Sequence, residues 1–120
     1  MNLTSFARPV LLRRAKKIDR YFTHAEEIQR AVLARLIKNA AKTEWGQKYG
    51  YADLKDYEAF AAAVPLNDYE TLKEPIDRMR HGEKDVLCKG KVKWYAKSSG
   101  TTNDKSKFIP VSKAYLKDTH

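Results

Sequence analysis

Val92-Lys93-Trp94-Tyr95-Ala96-Lys97-Ser98-Ser99-Gly100-Thr101-Thr102-Asn103-Asp104-Lys105-Ser106-Lys107-Phe108-Ile109-Pro110-Val111 is the stretch on which the reading of this chain turns. Val92, Trp94 and Ala96 alternate with Lys91, Lys93, Tyr95 and Lys97, the period-two pattern of a half-buried strand. Phe108-Ile109-Pro110-Val111 forms a second short apolar run. Two short strands within about 91–111 are therefore expected to flank a polar loop, with Val92, Trp94 and Ala96 on the core side.

Upstream the pattern changes from period two to helical spacing. Pro9 suits the first turn of a helix, and Val10, Leu11, Ala15, Ile18 and Phe22 then recur at three and four residues beside a basic face. Thr23 followed by Glu26 has the capping-box spacing, which predicts a second helix carrying Ile28, Val32, Leu33, Leu36, Ile37 and Ala40 until Gly46 and Gly50 interrupt. Asp53 or Asp56 would cap a short helix over Tyr57 to Ala63. Val64 must then be extended because Pro65 follows it. Asn67 and Glu70 repeat the capping-box spacing, and Pro75 predicts two helical pieces ending near Gly82. Beyond the second strand, Ser112 would cap a last helix. The expected fold class is α/β (mixed), a helical region over about 8–82 leading into strand, loop and strand. The sequence stops just after that last helix begins, which reads as a chain cut short.

In the loop, four hydroxyls (Ser98, Ser99, Thr101, Thr102) surround Gly100, with lysines beyond. Phosphate recognition needs such parts: a glycine that lets backbone N–H groups approach the anion, hydroxyl donors, and ammonium groups that offset charge. The pattern is not Walker A, because no second glycine and Gly-Lys-Ser/Thr ending follow Gly100. Taken as composition alone, the same residues describe a polar connection between two strands.

The 120 residues fit one domain or part of one, and 42% hydrophobic with 11% aromatic residues is a globular balance. Cys88 stands alone, which excludes an internal disulfide and a multi-cysteine metal site and points to a reducing, cytoplasmic setting. The apolar clusters of the first 22 residues are broken by Arg13, Arg14, Lys16, Lys17 and Arg20, so no signal peptide or membrane span is expected. A net charge of +9 suits phosphate-bearing partners. It gathers in two places: six Lys/Arg against Asp19 between Arg8 and Arg20, and the lysines at 89, 91, 93, 97, 105 and 107 around the loop.

Ser98-Ser99-Gly100-Thr101-Thr102 with a lysine shortly after resembles the phosphate loop of the adenylate-forming superfamily, which includes acyl-CoA synthetases and luciferases. The flanks extend that likeness. Phe60 to Val64, Pro65-Leu66, Tyr69-Glu70 and Arg78 with Gly82-Glu83 resemble the segment that precedes this loop in the acyl-acid amido synthetases of the auxin and jasmonate type. Lys107-Phe108-Ile109-Pro110 similarly resembles their lysine and proline just past the loop. The resemblance runs from about Gln29 to Pro110. It departs at Asn103-Asp104, where relatives usually carry glycine, though asparagine tolerates the left-handed conformation.

The resemblance implies a two-step reaction in which MgATP and a carboxylic acid give an acyl-adenylate and pyrophosphate, and an amino acid then attacks to form an amide. It implies that Ser98, Ser99, Thr101 and Thr102 hold the β- and γ-phosphates, Gly100 allows close approach, and Lys107 supplies positive charge. ATP and Mg2+ are the implied cofactors. The implied partners are a small carboxylic acid, an amino acid and the remainder of an adenylation domain, since the acyl pocket, the magnesium carboxylate and the adenine contacts lie beyond His120. The chain alone is expected to be inactive.

Other candidates read as structural. Cys88 has no identifiable base and is expected to be a small hydrophobe. His24, His81 and His120 lack metal-ligand spacing and fit capping or solvated positions. Trp45, Tyr49, Tyr51 and Trp94 are expected to pack in the core rather than stack on bases. The competing functional class is a basic module: the first helix pairs an apolar stripe with a run of arginines and lysines, which also describes a contact with nucleic acid or an anionic membrane surface.

Overall fold

A computed structural model of the chain describes residues 3–99 and 106–118, with side chains from 7 to 117 in those ranges. Among these residues, six α-helices and two strands occur in the order α1 (Leu3–Thr23), α2 (Ala25–Ala40), α3 (Glu44–Lys48), α4 (Tyr57–Ala63), α5 (Tyr69–Arg80), β1 (Trp94–Lys97), β2 (Phe108–Val111) and α6 (Lys113–Asp118), with a 3-10 turn at Tyr51–Asp53. The class is α/β (mixed), mostly helical with a two-stranded antiparallel sheet.

The first helix begins at Leu3, so Pro9 stands at its seventh position and not in its first turn. The one bond that Pro9 removes runs to the Ser5 carbonyl, close enough to the start that only the opening turn loses support. Nor does Thr23 cap the second helix. It is the last residue of α1, its hydroxyl lies 2.7 Å from His24 Nδ1, and His24 holds the N-cap position of α2 without a side-chain bond to the helix it caps. The His24 N–H donates to the Arg20 carbonyl at 2.8 Å and the His24 carbonyl accepts from Ile28 at 3.0 Å. Backbone bonding therefore runs almost unbroken from α1 into α2.

Gly46 does not interrupt a helix either; it is buried inside α3. A Cβ there would stand 2.0 Å from the Ala40 carbonyl oxygen, so glycine is what lets α3 fold back against the end of α2. Buried Thr43 joins the two. Its hydroxyl donates to the Ala40 carbonyl at 2.7 Å and accepts from the Gly46 N–H at 3.0 Å, satisfying one orphan group at each helix end. The freed amides of Glu44 and Trp45 donate to the carbonyls of Asp85 (2.7 Å) and Val86 (3.1 Å), which tie α3 to the segment that follows α5.

Asp56 caps α4 by accepting from Ala59 at 2.8 Å, and Val64 is extended before Pro65, both as expected. The cap of α5 is Asp68, not Asn67: Asp68 Oδ1 accepts from the Thr71 N–H at 2.9 Å, while Asn67 donates back to the Pro65 carbonyl. The helix is one piece through Pro75. Losing the bond to Thr71 costs about 3 kcal/mol in an isolated helix. Pro75, Ile76 and Met79 are all buried, at roughly 1.5–3 kcal/mol for each large side chain removed from water, so packing outweighs the loss. A Schellman motif ends α5: Gly82 N–H donates to Met79 O (3.0 Å) and Glu83 N–H to Arg78 O (3.1 Å), with Gly82 at φ +100°.

Met79, Val86 and Val92 form the centre of the core, with Leu87, Cys88 and Tyr95 packed around it. The strands pair Trp94 with Val111, Tyr95 with Pro110, Ala96 with Ile109 and Lys97 with Phe108. Inward alternation fails after Val92: Tyr95 is the strand residue that meets the core, and Trp94 is 66% exposed. Ser112 caps α6, its Oγ accepting from Tyr115 at 3.1 Å. Among the described residues no helix is long and apolar enough to cross a membrane.

Candidate functional site

The polar loop is fastened at its neck. The Ser98 N–H donates to the Lys107 carbonyl at 2.9 Å, and the Lys107 N–H donates to Ser98 Oγ at 3.0 Å. Two of the residues expected at a phosphate site are thereby brought side by side although nine positions apart. Ser98 Oγ acts there as acceptor, and its O–H keeps the capacity to donate. Ser99 follows on the exposed side. Gly100, Thr101, Thr102 and the departure at Asn103-Asp104 lie outside the described residues.

Helix α5 reaches across to this neck. The Tyr69 hydroxyl accepts from the Phe108 N–H at 2.9 Å, and the Lys107 ammonium stands 5.6 Å from the centre of the Tyr69 ring. The Arg80 guanidinium lies 3.8 Å from the centre of the Phe108 ring. Cation–π contacts of this kind are worth about 0.5–1 kcal/mol at exposed sites, enough to bias where a flexible lysine rests. Tyr69 and Arg80 were not legible as parts of this neck, because no local spacing connects residues 39 and 28 positions from Phe108.

Arg78 has a different task. Its guanidinium bonds both carboxylate oxygens of Glu83 (2.8 and 2.7 Å) and also Glu44, joining the start of α3 to the end of α5. These hydrogen bonds hold the Glu44 and Glu83 carboxyls below the usual carboxylate range and push the guanidinium above its own. With its donors turned to carboxylates, Arg78 braces the scaffold.

The remaining candidates take structural places. Cys88 is half-buried against the core, and burial pushes its thiol up, away from the reactive thiolate. His81 caps the end of α5, its Nδ1 donating to the Asp77 carbonyl at 2.8 Å; His120 lies outside the described residues. Trp45 and Tyr49 meet edge to face with centroids 5.0 Å apart, and Tyr51 packs on Phe60 at 5.8 Å. Lys89, Lys91 and Lys93 gather elsewhere. They edge a cavity of about 780 Å3 floored by Leu36, Ile37 and Leu87. Among the described residues no three His, Cys, Asp or Glu gather as a metal-binding group.

The mostly helical scaffold with its two short antiparallel strands resembles a solved acyl acid amido synthetase, and the sequence matches the same family. Residues 14–120 match the model of the GH3 family N-terminal domain. The chain belongs to the GH3 family. It is 31% identical over 95 residues to an indole-3-acetic acid-amido synthetase of Arabidopsis thaliana, GH3.6, covering 78% of this chain and 16% of that protein. It is 29% identical over 96 residues to the jasmonoyl–L-amino acid synthetase JAR6 of Nicotiana attenuata, covering 79% and 17%. The solved structure of the GH3.15 acyl acid amido synthetase superposes with a TM-score of 0.74 at 28% identity, over 87% of this chain and 19% of that one. The chain thus spans less than a fifth of the length of these relatives.

Proposed function

We propose that this chain supplies the ATP-phosphate loop of an acid–amino acid ligase that adenylates a carboxylic acid and passes the acyl group to an amino acid. The observation that carries the reading is the doubled hydrogen bond between Ser98 and Lys107, which holds a hydroxyl and an ammonium-bearing residue together at the ends of a segment rich in further hydroxyls. The donor set fits a polyphosphate: hydroxyl and amide donors orient the anion and lysine offsets its charge. ATP, when bound, would supply the adenylyl group, with pyrophosphate as leaving group. Ser98, Ser99, Thr101 and Thr102 would hold its β- and γ-phosphates, Gly100 would permit close approach, and Lys107 would offset negative charge on the pyrophosphate. Mg2+ would come in with the nucleotide. The loop needs a partner for chemistry, and the remaining adenylation domain, the acid and the amino acid are that partner's contribution.

The test is ATP–pyrophosphate exchange, across a panel of carboxylic acids, by the polypeptide purified from source cells with antibodies to this chain. Acid-dependent exchange that falls by roughly a hundredfold or more in Ser99→Ala or Lys107→Ala versions agrees with the proposal, the scale of one lost transition-state donor. Exchange indifferent to both substitutions would refute it.

A further inference from the structure

Every residue from Ala7 to Thr23 in α1 is exposed, and the helix presents two opposed faces to solvent. At 100° per residue, Leu11, Ala15, Ile18 and Phe22 share one face, flanked by Arg8 on one side and by Arg14, Tyr21 and Val10 on the other; Arg13, Lys16, Lys17 and Arg20 occupy the far face, with Leu12 at its edge. The apolar side chains are large and wet: Leu11 is 60%, Ile18 56% and Phe22 84% exposed. The stripe does not stop at Thr23, for Tyr21 continues into a shallow apolar groove with Ile28, Val32 and Leu36 of α2.

We propose that α1 lies in the interface of an anionic lipid bilayer, with Leu11, Ile18 and Phe22 among the acyl chains and Arg13, Lys16, Lys17 and Arg20 at the headgroups. Charge complementarity selects the sign of the surface: six Lys/Arg stand against one Asp between residues 8 and 20. The apolar face selects a membrane over nucleic acid. A phosphate backbone gives basic residues everything they need and offers nothing to an exposed phenylalanine and isoleucine one turn apart, whereas a bilayer receives both faces at once. This inference uses none of the loop residues.

The experiment is co-sedimentation of the 120-residue chain with phosphatidylcholine vesicles, with and without phosphatidylserine. Binding is expected only with phosphatidylserine and should weaken as salt is raised. Lys16→Glu with Lys17→Glu should lower partitioning by roughly tenfold or more, at the strength typical of juxtamembrane basic residues. Ile18→Asn with Phe22→Asn should lower it comparably while leaving helix content by circular dichroism unchanged, because both side chains are outside the core. Equal binding to neutral vesicles, or none to either, overturns the proposal, and the unsubstituted chain alone decides that arm. Loss with the lysine pair but full retention with the apolar pair also overturns it, as does duplex RNA or DNA binding that outcompetes the vesicles. So does a dimer by light scattering that dissolves only in the apolar variant.

Discussion

Replacing Gly46 with alanine should destabilise the chain, although helix propensity alone argues the reverse. Alanine inside an exposed helix normally gains about 0.5–1 kcal/mol over glycine. Here the new Cβ would lie 2.0 Å from the Ala40 oxygen, 2.8 Å from its carbon and 3.0 Å from the Ala41 Cα, all of them backbone atoms that no rotamer change can remove. The ends of α2 and α3 must separate by about an ångström, and overpacking of that kind costs about 1–3 kcal/mol. Separation also pulls Thr43 off one of its two partners, at about 1 kcal/mol for a lost cap. Set against the propensity gain, the net loss is about 2 kcal/mol. In thermal unfolding followed by circular dichroism this lowers Tm by at least about 8 °C for a domain of this size. Gly50→Ala is the control. It keeps a left-handed φ of +64° but meets nothing within 4 Å, so its loss should be smaller, about 1 kcal/mol. A Gly46→Ala chain as stable as the parent, or more stable than Gly50→Ala, would show that the α2–α3 contact is not as described.

Acid should loosen the α3–α5 junction before the rest. Hydrogen bonds from Arg78 hold Glu44 and Glu83 below their ordinary 4.5, and those from Thr71 hold Asp68 below 3.8. Depressed folded values mean stability that is complete above about pH 4.5 and lost as pH falls through them. Urea midpoints measured from pH 6 downward should be level to about 4.5 and then decline, more shallowly in Arg78→Met; a parallel decline in both would exclude Arg78 as the cause. With Trp45→Phe leaving Trp94 as the reporter, acrylamide should quench fluorescence nearly as well as free tryptophan, matching its 66% exposure, and a shielded, blue-shifted signal would restore the opposite strand face.

Where a local chemical rule decides a structure, the sequence shows it. Asp56, Ser112, Val64 before Pro65 and the helix end at Gly82 each depend on residues within a few positions, and each forms as read. The family likeness of the loop and its flanks was legible for the same reason. Some misreadings are local, where the cap fell one residue past Thr23 and past Asn67 and the first helix began before Pro9; the others come from distance. Gly46 reads as a breaker until α2 is known to pass beside it, and Pro75 reads as a break until Ile76 and Met79 are known to be buried. Trp94 and Tyr95 exchange faces because the core they meet is built by Met79 and Val86, which period-two counting on the strand cannot see. The neck of the candidate site divides likewise: Ser98 and Lys107 are legible as residue types, while their mutual bonds and the hand lent by Tyr69 belong to the folded chain.

The unbroken bonding through His24 makes α1 a lever. Twenty-one residues at about 1.5 Å each give an arm of about 30 Å, attached to the body at one end. A change of about 10° at that joint sweeps the far tip through about 5 Å, a full turn of helix, while α2 and everything after it stays still. The orientation of six of the chain's 24 lysines and arginines is therefore set by the φ and ψ of one histidine, whose backbone at −131° and 30° is neither helical nor extended.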